Sequence, residues 1–307
     1  MTVVISGRRV LVTGASGFLG SRLVERLVAV GADVHAVSRR RATLAGTAVS
    51  WSRLDLADPT ATVRLIDSVQ PEVVYHLAGE VTGARDVGLV LPVFHSNLQS
   101  TVNLLATVVE RCPAQVVLAG SLEEAGIGEA GCAPSSPYAV AKWASTGYAR
   151  MFSDLWGLPI TTLRISMAYG PGQRDRSKLV PYVIESLLDG NAPELTSGGR
   201  KVDWVYVDDV VEAFLAAGQE PGFSGVMDIG SGSSVAIRDV VGLITRLLGI
   251  DIKPGFGALR DRPLDRDRLA DISVAREAIG WKPTVGLEQG LAETVRWYRD
   301  SLRGRRS

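Results

Sequence analysis

The sequence predicts an α/β protein with a doubly wound parallel sheet and a smaller C-terminal α/β lobe. Short apolar segments of strand length, such as Val10–Val12 and Val73–Leu77, alternate with longer segments whose apolar residues recur at helical spacing. Such alternation is typical of a parallel sheet covered by helices on both faces. The first strand also runs directly into a glycine-rich turn and a helix, the connection that carries the ligand site in this fold class.

The glycine-rich turn, residues 13–20, indicates a dinucleotide site. Gly14 permits the tight turn, Gly17 lets the backbone approach a pyrophosphate, and Gly20 allows close packing of the helix. The helix N-terminus offers unpaired N–H groups and a partial positive charge to the phosphates. An ordinary turn is the alternative, which the position after the first strand disfavours. We expect the cofactor to contact Gly14, Ser16, Gly17, Phe18, Leu19 and Gly20.

The end of the second predicted strand, Val34–Val37, bears on the choice of cofactor. In this architecture an acidic residue at that point binds the ribose 2′-hydroxyl of NAD, whereas an arginine accommodates the 2′-phosphate of NADP. The chain has Ser38, Arg39 and Arg40 there and no acid. A guanidinium pairs with phosphate through a fork of donors, so the sequence favours NADP over NAD. A solvated arginine run is the alternative.

Two further turns follow predicted strands and complete the expected cofactor site. The strand Trp51–Leu54 leads into a pair of residues that can line an adenine pocket, and the fourth strand ends in small residues that let the backbone lie close to a ligand. These residues are Asp55, Leu56, Leu77, Ala78 and Gly79. His76 stands alone within the apolar fourth strand, and we expect a core histidine rather than a catalytic base there.

The composition excludes several classes of protein. Lys plus Arg and Asp plus Glu both number 33 in the 307 residues, so no net charge attracts nucleic acid or an anionic membrane. Cys112 and Cys132 have no metal-ligand spacing, and we expect thiols in a reducing compartment. No leader-like segment and no apolar run of about 18 residues is present, which predicts a soluble, cytoplasmic protein.

A pair of reactive side chains follows the fifth predicted strand, Val116–Ala119. Pro137 opens a helix in which Tyr138 and Lys142 are four residues apart and share one face. A phenol has a pKa near 10, and a nearby ammonium stabilises the phenolate and lowers that pKa toward neutrality. Together with Ser121 at the end of the strand, this spacing predicts general acid–base chemistry.

These motifs resemble the extended short-chain dehydrogenase/reductase family of nucleotide-sugar epimerases, dehydratases and ketoreductases. The resemblance covers nearly the whole chain and includes TGASGFLG at 13–20, HLAG at 76–79, GSLEEAG at 120–126, SPYAVAK at 136–142, LRISMAYGPGQ at 163–173 and VDWVYVDDV at 202–210. It implies a Rossmann domain over residues 1–166. Residues 167–307 would then form mainly a substrate lobe, with a segment near 200–230 returning to the Rossmann domain.

The resemblance also assigns roles. It makes Tyr138 the proton donor or acceptor, has Lys142 anchor the nicotinamide ribose, and has Ser121 hydrogen-bond the reacting sugar oxygen. It also implies that Asn97 is a cofactor-binding residue. The helices near Ser96–Glu110 and Pro137–Leu155 resemble those of a four-helix dimer contact, so a homodimer is expected.

The C-terminal part fits a lobe for a nucleotide-diphosphate sugar. Lys178–Leu188 reads as an amphipathic helix that closes over a ligand. Arg262, with Arg260 as second choice, resembles the arginine that grips the substrate diphosphate; a basic surface loop is the alternative. Met167 stands where relatives carry a substrate-contacting asparagine. Asp208-Asp209 is interpreted as a helix cap, without a catalytic role.

The reaction is predicted from the segment after Ser121. Dehydratases of the thymidine-diphosphate-glucose type have an Asp-Glu pair next, but this chain has Leu122-Glu123, so only the candidate base Glu123 remains. GSLEEAG is closer to GSSEEYG of reductases acting on 4-keto-6-deoxymannose nucleotides. With the NADP-like arginines, this favours NADPH-dependent reduction of the C4 carbonyl of a nucleotide-diphospho-4-keto-6-deoxyhexose, in which Tyr138 protonates the oxyanion.

Other functions remain open alternatives. They are a nucleotide-sugar 4-epimerase, a 4,6-dehydratase of the guanosine-diphosphate-mannose type, and a non-catalytic NADP-binding sensor. The chain departs from the family pattern at three positions, namely Met167, Val202 and Ala125, where asparagine, arginine and tyrosine are usual. These departures leave open which sugar and which nucleotide base the substrate carries.

Overall fold

Strands and helices alternate along most of the chain. The computed structural model describes residues 4–39, 49–128 and 132–306. The strands are β1 (Arg9–Thr13), β2 (Asp33–Ser38), β3 (Ser50–Arg53), β4 (Val73–His76), β5 (Gln115–Ser121), β6 (Ile160–Ile165), β7 (Met167–Tyr169), β8 (Glu194–Leu195), β9 (Lys201–Tyr206), β10 (Gly225–Ile229), β11 (Ser234–Ala236) and β12 (Gly255–Phe256). The helices are α1 (Phe18–Ala29), α2 (Pro59–Val69), α3 (Val90–Val93), α4 (Ser100–Arg111), α5 (Pro137–Trp156), α6 (Leu179–Leu188), α7 (Val207–Gln219), α8 (Ile237–Leu248), α9 (Ser273–Ile279) and α10 (Leu287–Arg306).

The chain forms two compact units. The first comprises Met1–Ile165, Val211–Ile229 and Ser273–Trp281, and the second comprises Ser166–Val210, Gly230–Ile272 and Lys282–Ser307.

The first unit contains a seven-stranded parallel sheet in the order β10-β6-β5-β4-β1-β2-β3. Read from the other edge, the first six strands follow 3-2-1-4-5-6, the order of a dinucleotide-binding Rossmann sheet. The strand order reverses between β1 and β4, and such a switch point is where parallel sheets bind ligands. The predicted doubly wound α/β fold is therefore confirmed.

The central strands are buried on both faces because they are almost entirely branched and apolar. Fully buried residues of β1, β4 and β5 include Val10, Leu11, Val12, Val73, Val74, Tyr75, Val116 and Val117. The helix after β3 begins at Pro59, and the preceding Asp58 caps it, since its carboxylate accepts from the N–H groups of Thr60 and Ala61.

Helix α5 carries two of the predicted catalytic residues. The Ser136 hydroxyl accepts from the Ala139 N–H, Pro137 occupies the first turn, and Gly157 ends the helix with a φ of +67°. Its buried face includes Tyr138, Ala139, Ala141, Lys142, Ser145, Ala149 and Phe152. Val140 and Tyr148 lie on the exposed face of the same helix and are both about 40% exposed.

The second unit contains a three-stranded sheet in the order β11-β9-β7, and β8 pairs with β12. Helices α6, α8 and α10 of this unit pack against one another. Within the residues that the structure describes, no helix combines the length and the hydropathy that a bilayer span requires. The thiols of Cys112 and Cys132 are free, as predicted.

Candidate active site

The glycine turn joins the two strands at the switch point. Gly14 has a φ of +67°, and a Cβ atom there would lie 2.7 Å from backbone atoms of Leu77 and Ala78. A Cβ atom on Gly20 would lie 2.2 Å from the Gly14 carbonyl oxygen. Side chains at these two positions would therefore push β1 away from the end of β4, or α1 away from the turn. The roles predicted for the first and third glycines are confirmed.

The N-terminus of α1 presents its backbone N–H groups without a side-chain cap. Gly17 is the N-cap residue, and in the described part of the chain no side chain accepts from this end of the helix. The first N–H groups of a helix have no partner within it, so those of Phe18 and Leu19 are available to an anion. Ser16 is exposed in the turn.

The candidate adenosine site at the end of β2 is only partly ordered by the protein itself. Ser38 is buried, whereas the side chain of Arg39 is exposed and its carbonyl oxygen accepts from Arg53 Nε at 3.2 Å. Arg40 lies outside the described residues. Asp55 accepts from the Ala57 N–H, and the Leu56 beside it is buried. An exposed Arg39 fits both interpretations of the arginine run, so the NADP preference stays a prediction.

His76 is a core residue, as predicted. Its Nδ1 lies 2.7 Å from Thr13 Oγ1, and its Nε2 lies 3.0 Å from Thr101 Oγ1. Because the Thr101 hydroxyl donates to the Asn97 carbonyl oxygen, we assign the ring proton to Nε2. Burial lowers the pKa of His76 to about 3, and the charge of Lys142 acts in the same direction. A neutral histidine with both nitrogens bonded is not a proton carrier for catalysis.

Asn97 acts on the expected cofactor loop through Glu80. Its Oδ1 accepts from the Glu80 N–H at 2.7 Å, and its Nδ2 donates to the Glu80 carbonyl oxygen at 2.9 Å. A Cβ atom on Gly79 would lie 2.3 Å from that Oδ1. Asn97 therefore fixes the backbone that follows β4.

The helix predicted for Ser96–Glu110 differs from the one observed. The α-helix begins at Ser100, and Phe94–Gln99 form a π-helical stretch before it. Periodicity did not reveal this stretch, because its six residues are too few to distinguish the period of a π-helix from that of an α-helix. The stretch contains the amide that binds Glu80, and π-helical turns occur frequently at functional sites.

Three predicted catalytic residues meet at the carboxyl end of β5. The Ser121 side chain acts on the Tyr138 phenol, whose pKa it lowers. Lys142 Nζ donates to the Ala119 carbonyl oxygen at 2.7 Å and lies 6.0 Å from the centroid of the Tyr138 ring. Serine, tyrosine and lysine are 6%, 8% and 7% exposed, so packing holds each of them.

The pKa of Tyr138 differs from the sequence expectation. Burial raises it above the ordinary value of a phenol, and the negative charges of Glu124 and Glu123 add to this effect. The hydrogen bond with Ser121 acts in the opposite direction but is outweighed. The predicted fall of this pKa toward neutrality is therefore wrong for the protein alone, because burial outweighs it and helical spacing carries no information about desolvation.

The two glutamates after Ser121 have different environments. Glu123 Oε2 accepts from Ser135 Oγ at 3.0 Å. Glu124 is only 3% exposed, and its two oxygens accept from the Ser121 N–H at 3.0 Å and from Thr146 Oγ1 at 2.8 Å. We did not predict a role for Glu124 from sequence, although its spacing from Ser121 is that of a capping box, which the structure contains.

The predicted substrate residues lie in the second unit. Lys178 is the N-cap residue of α6, and its Nζ is 3.9 Å from a carboxylate oxygen of Asp175. Burial lowers the pKa of Lys178, the charge of Asp175 opposes this shift, and the charge of Arg262 adds to it. Arg260 and Arg262 are exposed, and Met167 at the start of β7 is partly exposed.

Two buried aspartates organise the second unit. Asp209 lies in the first turn of α7 and accepts from the N–H and hydroxyl of Thr284 and from the Val285 N–H. These hydrogen bonds support the structural role preferred for it. Asp203, which sequence reasoning missed, accepts from Ser231, Gly232 and Ala270. In the described parts of the chain, no group of three acidic, histidine or cysteine side chains forms a metal site.

The chain is similar in sequence to enzymes that act on nucleotide sugars. The chain is 33% identical to the UDP-glucose 4-epimerase of Mycolicibacterium smegmatis, over 95% of this chain and 99% of the relative. It is 30% identical to a probable dTDP-glucose 4,6-dehydratase of Sinorhizobium fredii, over 95% and 93% of the two chains.

Two solved structures match at similar coverage. The UDP-glucose 4-epimerase of Thermotoga maritima with UDP-glucose superimposes with a TM-score of 0.87 and is 27% identical. MoeE5 in complex with UDP-glucose and NAD superimposes with a TM-score of 0.84 and is 32% identical. Each match covers 95% of this chain and 99% of the other. The family model described as the NAD dependent epimerase/dehydratase family matches residues 10–230. The resemblance recognised in the motifs is thus confirmed, and the chain belongs to the NAD dependent epimerase/dehydratase family.

Proposed function

We propose that the protein is a nicotinamide-dependent enzyme that acts at C4 of a nucleotide-diphosphate hexose, and that its reaction is 4-epimerisation. The observation that supports this most directly is the buried cluster at the end of β5, where Ser121 and Tyr138 meet and Lys142 is held one helical turn further on. The similarity to UDP-glucose 4-epimerases over nearly the whole chain favours the epimerase over the other reactions of the family.

The residues around the glycine turn fit a nicotinamide dinucleotide. The close approach at Gly14 and the uncapped N–H groups of Phe18 and Leu19 suit a pyrophosphate. The loop Leu77–Gly79 would lie against the cofactor, and Lys142 would bind the nicotinamide ribose. When bound, the cofactor supplies a reversible acceptor for a hydride.

Tyr138 moves the proton in the proposed reaction. In its ionised form, the phenol oxygen takes the proton of the C4 hydroxyl while the C4 hydride leaves, and a 4-keto sugar results. Ser121 donates a hydrogen bond to the same sugar oxygen and fixes its position. Return of the hydride to the opposite face of C4, with the proton returned from Tyr138, gives the epimer. The positive charge of Lys142 favours the ionised phenol during the first step.

The segment after Ser121 disfavours dehydration. Elimination of water from the hexose requires an acid for the leaving hydroxyl and a base for the C5 proton. The residue in the position of the acid is Leu122, which is 4% exposed and carries no ionisable group. Glu123 can still serve as a base, whereas Glu124 is occupied by Ser121 and Thr146.

Reduction of a 4-keto-6-deoxyhexose nucleotide by NADPH is the second candidate function. Arg39 favours it, because its exposed guanidinium at the end of β2 is suited to the 2′-phosphate of NADP. A reductase consumes a reduced cofactor in every turnover, and so it gains from a pocket for NADPH. GSLEEAG at 120–126 also supports this reaction.

One pair of assays separates the candidates. Purified protein is incubated with UDP-glucose or UDP-galactose, and the products are resolved by chromatography. It is also incubated with a nucleotide-diphospho-4-keto-6-deoxyhexose and NADPH while absorbance at 340 nm is followed. An epimerase interconverts the first pair with no net change of cofactor, whereas a reductase oxidises one NADPH per keto sugar. Binding of cofactor without turnover in either assay would indicate a non-catalytic sensor.

Lys178 and Arg262 are proposed to bind the substrate diphosphate. The charge of Arg262 acts on Lys178, so a shared anion would offset their repulsion, and arginine binds phosphate through paired donors. Arg262→Ala should raise the KM for the nucleotide sugar about 10-fold or more, because a charge-assisted hydrogen bond contributes about 1.5–3 kcal/mol. An unchanged KM would favour the alternative of a basic surface loop.

A homodimer is proposed as the assembled state. Exposed apolar side chains gather on α5 and on the segment from α3 into the π-helical stretch, and they include Val90, Leu91, Phe94, Val140, Trp143 and Tyr148. Contiguous exposed apolar surface marks interaction sites. Light scattering coupled to size-exclusion chromatography should give a molar mass of two chains. Trp143→Glu should reduce this to the mass of one chain.

A further inference from the structure

Glu124 is a buried carboxylate that the proposed reaction leaves without a role. It belongs to the turn after β5 that starts at Ser121, and both of its oxygens accept hydrogen bonds, from the Ser121 N–H and the Thr146 hydroxyl. A carboxylate that only accepts is satisfied in its ionised form. A buried negative charge requires a compensating positive charge nearby.

Lys142 is the buried cation of the same cluster. A small cavity, about 10 Å³ in volume, lies beside its side chain and is lined by Gly120 and Thr146, which are both in contact with Glu124. That volume is about the smallest that holds one water molecule. The same cavity is therefore lined by Lys142 and by Thr146, and the hydroxyl of Thr146 donates to Glu124.

The other charged and titratable groups around this pair have defined effects. His76 on β4 is neutral and adds no charge to the cluster. Burial raises the pKa of Glu124 above its ordinary value. The hydrogen bonds from Ser121 and Thr146 oppose this rise, as do the charges of Lys142 and of Arg164 on β6. The pKa of Lys142 falls to about 8 through burial, and Glu124 is the group that opposes this fall. Tyr138 is affected by Glu124 and Glu123.

We propose that Glu124 is a positioning residue for catalysis: a carboxylate fixed by Ser121 and Thr146 that keeps the buried Lys142 protonated. This role rests on the proposed function in one respect, namely that Lys142 takes part in catalysis. Without the carboxylate, the ammonium would lose its proton near neutral pH and could no longer favour the ionised form of Tyr138. Glu124 would thereby set the upper pH limit of activity without contacting the substrate.

The test is a direct titration of Lys142 in the purified full-length protein. The chain has five lysines, so ¹³C labelling at lysine Cε gives a spectrum of five resonances, and Lys142→Arg assigns the one from Lys142. In Glu124→Gln, which keeps the shape but removes the charge, the titration midpoint of Lys142 should fall by about one pH unit or more. The alkaline limb of kcat/KM for the nucleotide sugar should move to lower pH by the same amount.

Two further variants keep the result interpretable. Glu123→Gln removes the neighbouring carboxylate, which is not among the charges acting on Lys142, and should leave the Lys142 midpoint unchanged. Thr146→Val removes one hydrogen bond from Glu124 and should shift the midpoint in the same direction by less; it also serves if Glu124→Gln does not fold. A Lys142 midpoint identical in wild type, Glu124→Gln and Thr146→Val would overturn the proposal. Because the titration needs no substrate, it is independent of whether the enzyme is an epimerase.

Discussion

The carboxyl ends of β5 and β2 both carry functional residues, but the fold constrains them very differently. At β5, Ser121, Tyr138 and Lys142 are each less than 9% exposed and are held by hydrogen bonds and packing. At β2, Ser38 is buried but the guanidinium of Arg39 is exposed. Side chains that are fixed before a ligand binds lose little entropy in the reaction, whereas an exposed arginine is ordered by the ligand itself.

This difference suggests how the two properties of the enzyme can vary. The proposed proton chemistry uses three buried groups whose replacement disturbs packing and hydrogen bonds together. The predicted selection of the cofactor uses contacts at a surface position, where substitutions usually change stability little. We therefore expect the reaction type to be hard to change by mutation and the preference between NADP and NAD to be easy to change.

The largest expected effect is that of Tyr138→Phe. Loss of the phenol oxygen removes the proton acceptor, and kcat should fall about 10²–10⁴-fold, the contribution typical of general acid–base groups. Cofactor affinity, measured by fluorescence titration, should change little because the glycine turn is untouched. Tyr148→Phe, at an exposed position of the same helix, is the control and should retain activity. A fully active Tyr138→Phe enzyme would remove the end of β5 from the mechanism.

Local patterns in the sequence were sufficient to predict most of this site. The glycine spacing requires one backbone geometry, and the four-residue interval between Tyr138 and Lys142 places them on one helix face. The parallel sheet and the end of β5 follow from the alternation of strands and helices, whereas the strand order is known from the structure. Each of these inferences depends on distances within a few residues along the chain.

The features that escaped prediction depend on contacts distant in sequence. The pKa of Tyr138 is set by burial among packed elements. The role of Glu124 depends on Thr146, which is 22 residues away in the chain. The hydrogen bonds of Asp209 reach Thr284, 75 residues away. Periodicity cannot report such contacts, because it describes which face of an element is apolar and not what covers that face.

A second, intermediate effect is expected at the loop that follows β4. Asn97→Ala removes both hydrogen bonds to the backbone of Glu80 and leaves that N–H and carbonyl without their partner. Each lost bond costs about 1–3 kcal/mol when the group stays buried. Thermal unfolding should occur at lower temperature and the cofactor Kd should rise, both relative to Asn191→Ala at an exposed position. An unchanged cofactor Kd would separate this loop from the binding site.

The smallest effect, and the one that tests the comparison most directly, is expected for Arg39→Asp. A carboxylate at this point repels a 2′-phosphate and accepts from a 2′-hydroxyl, so the ratio of cofactor affinities should shift toward NAD by about 10-fold or more. The ratio of Kd values for NADP and NAD measures this without any assumption about the substrate. Arg111→Asp, at an exposed position at the end of α4, makes the same change of charge and should leave the ratio unchanged.

Because Arg39 is exposed, the unfolding temperature of Arg39→Asp should stay within a few degrees of wild type, in contrast to Asn97→Ala. An unaltered ratio would mean that the arginines after β2 are solvated surface residues, and the case for a reductase would lose its main physical support.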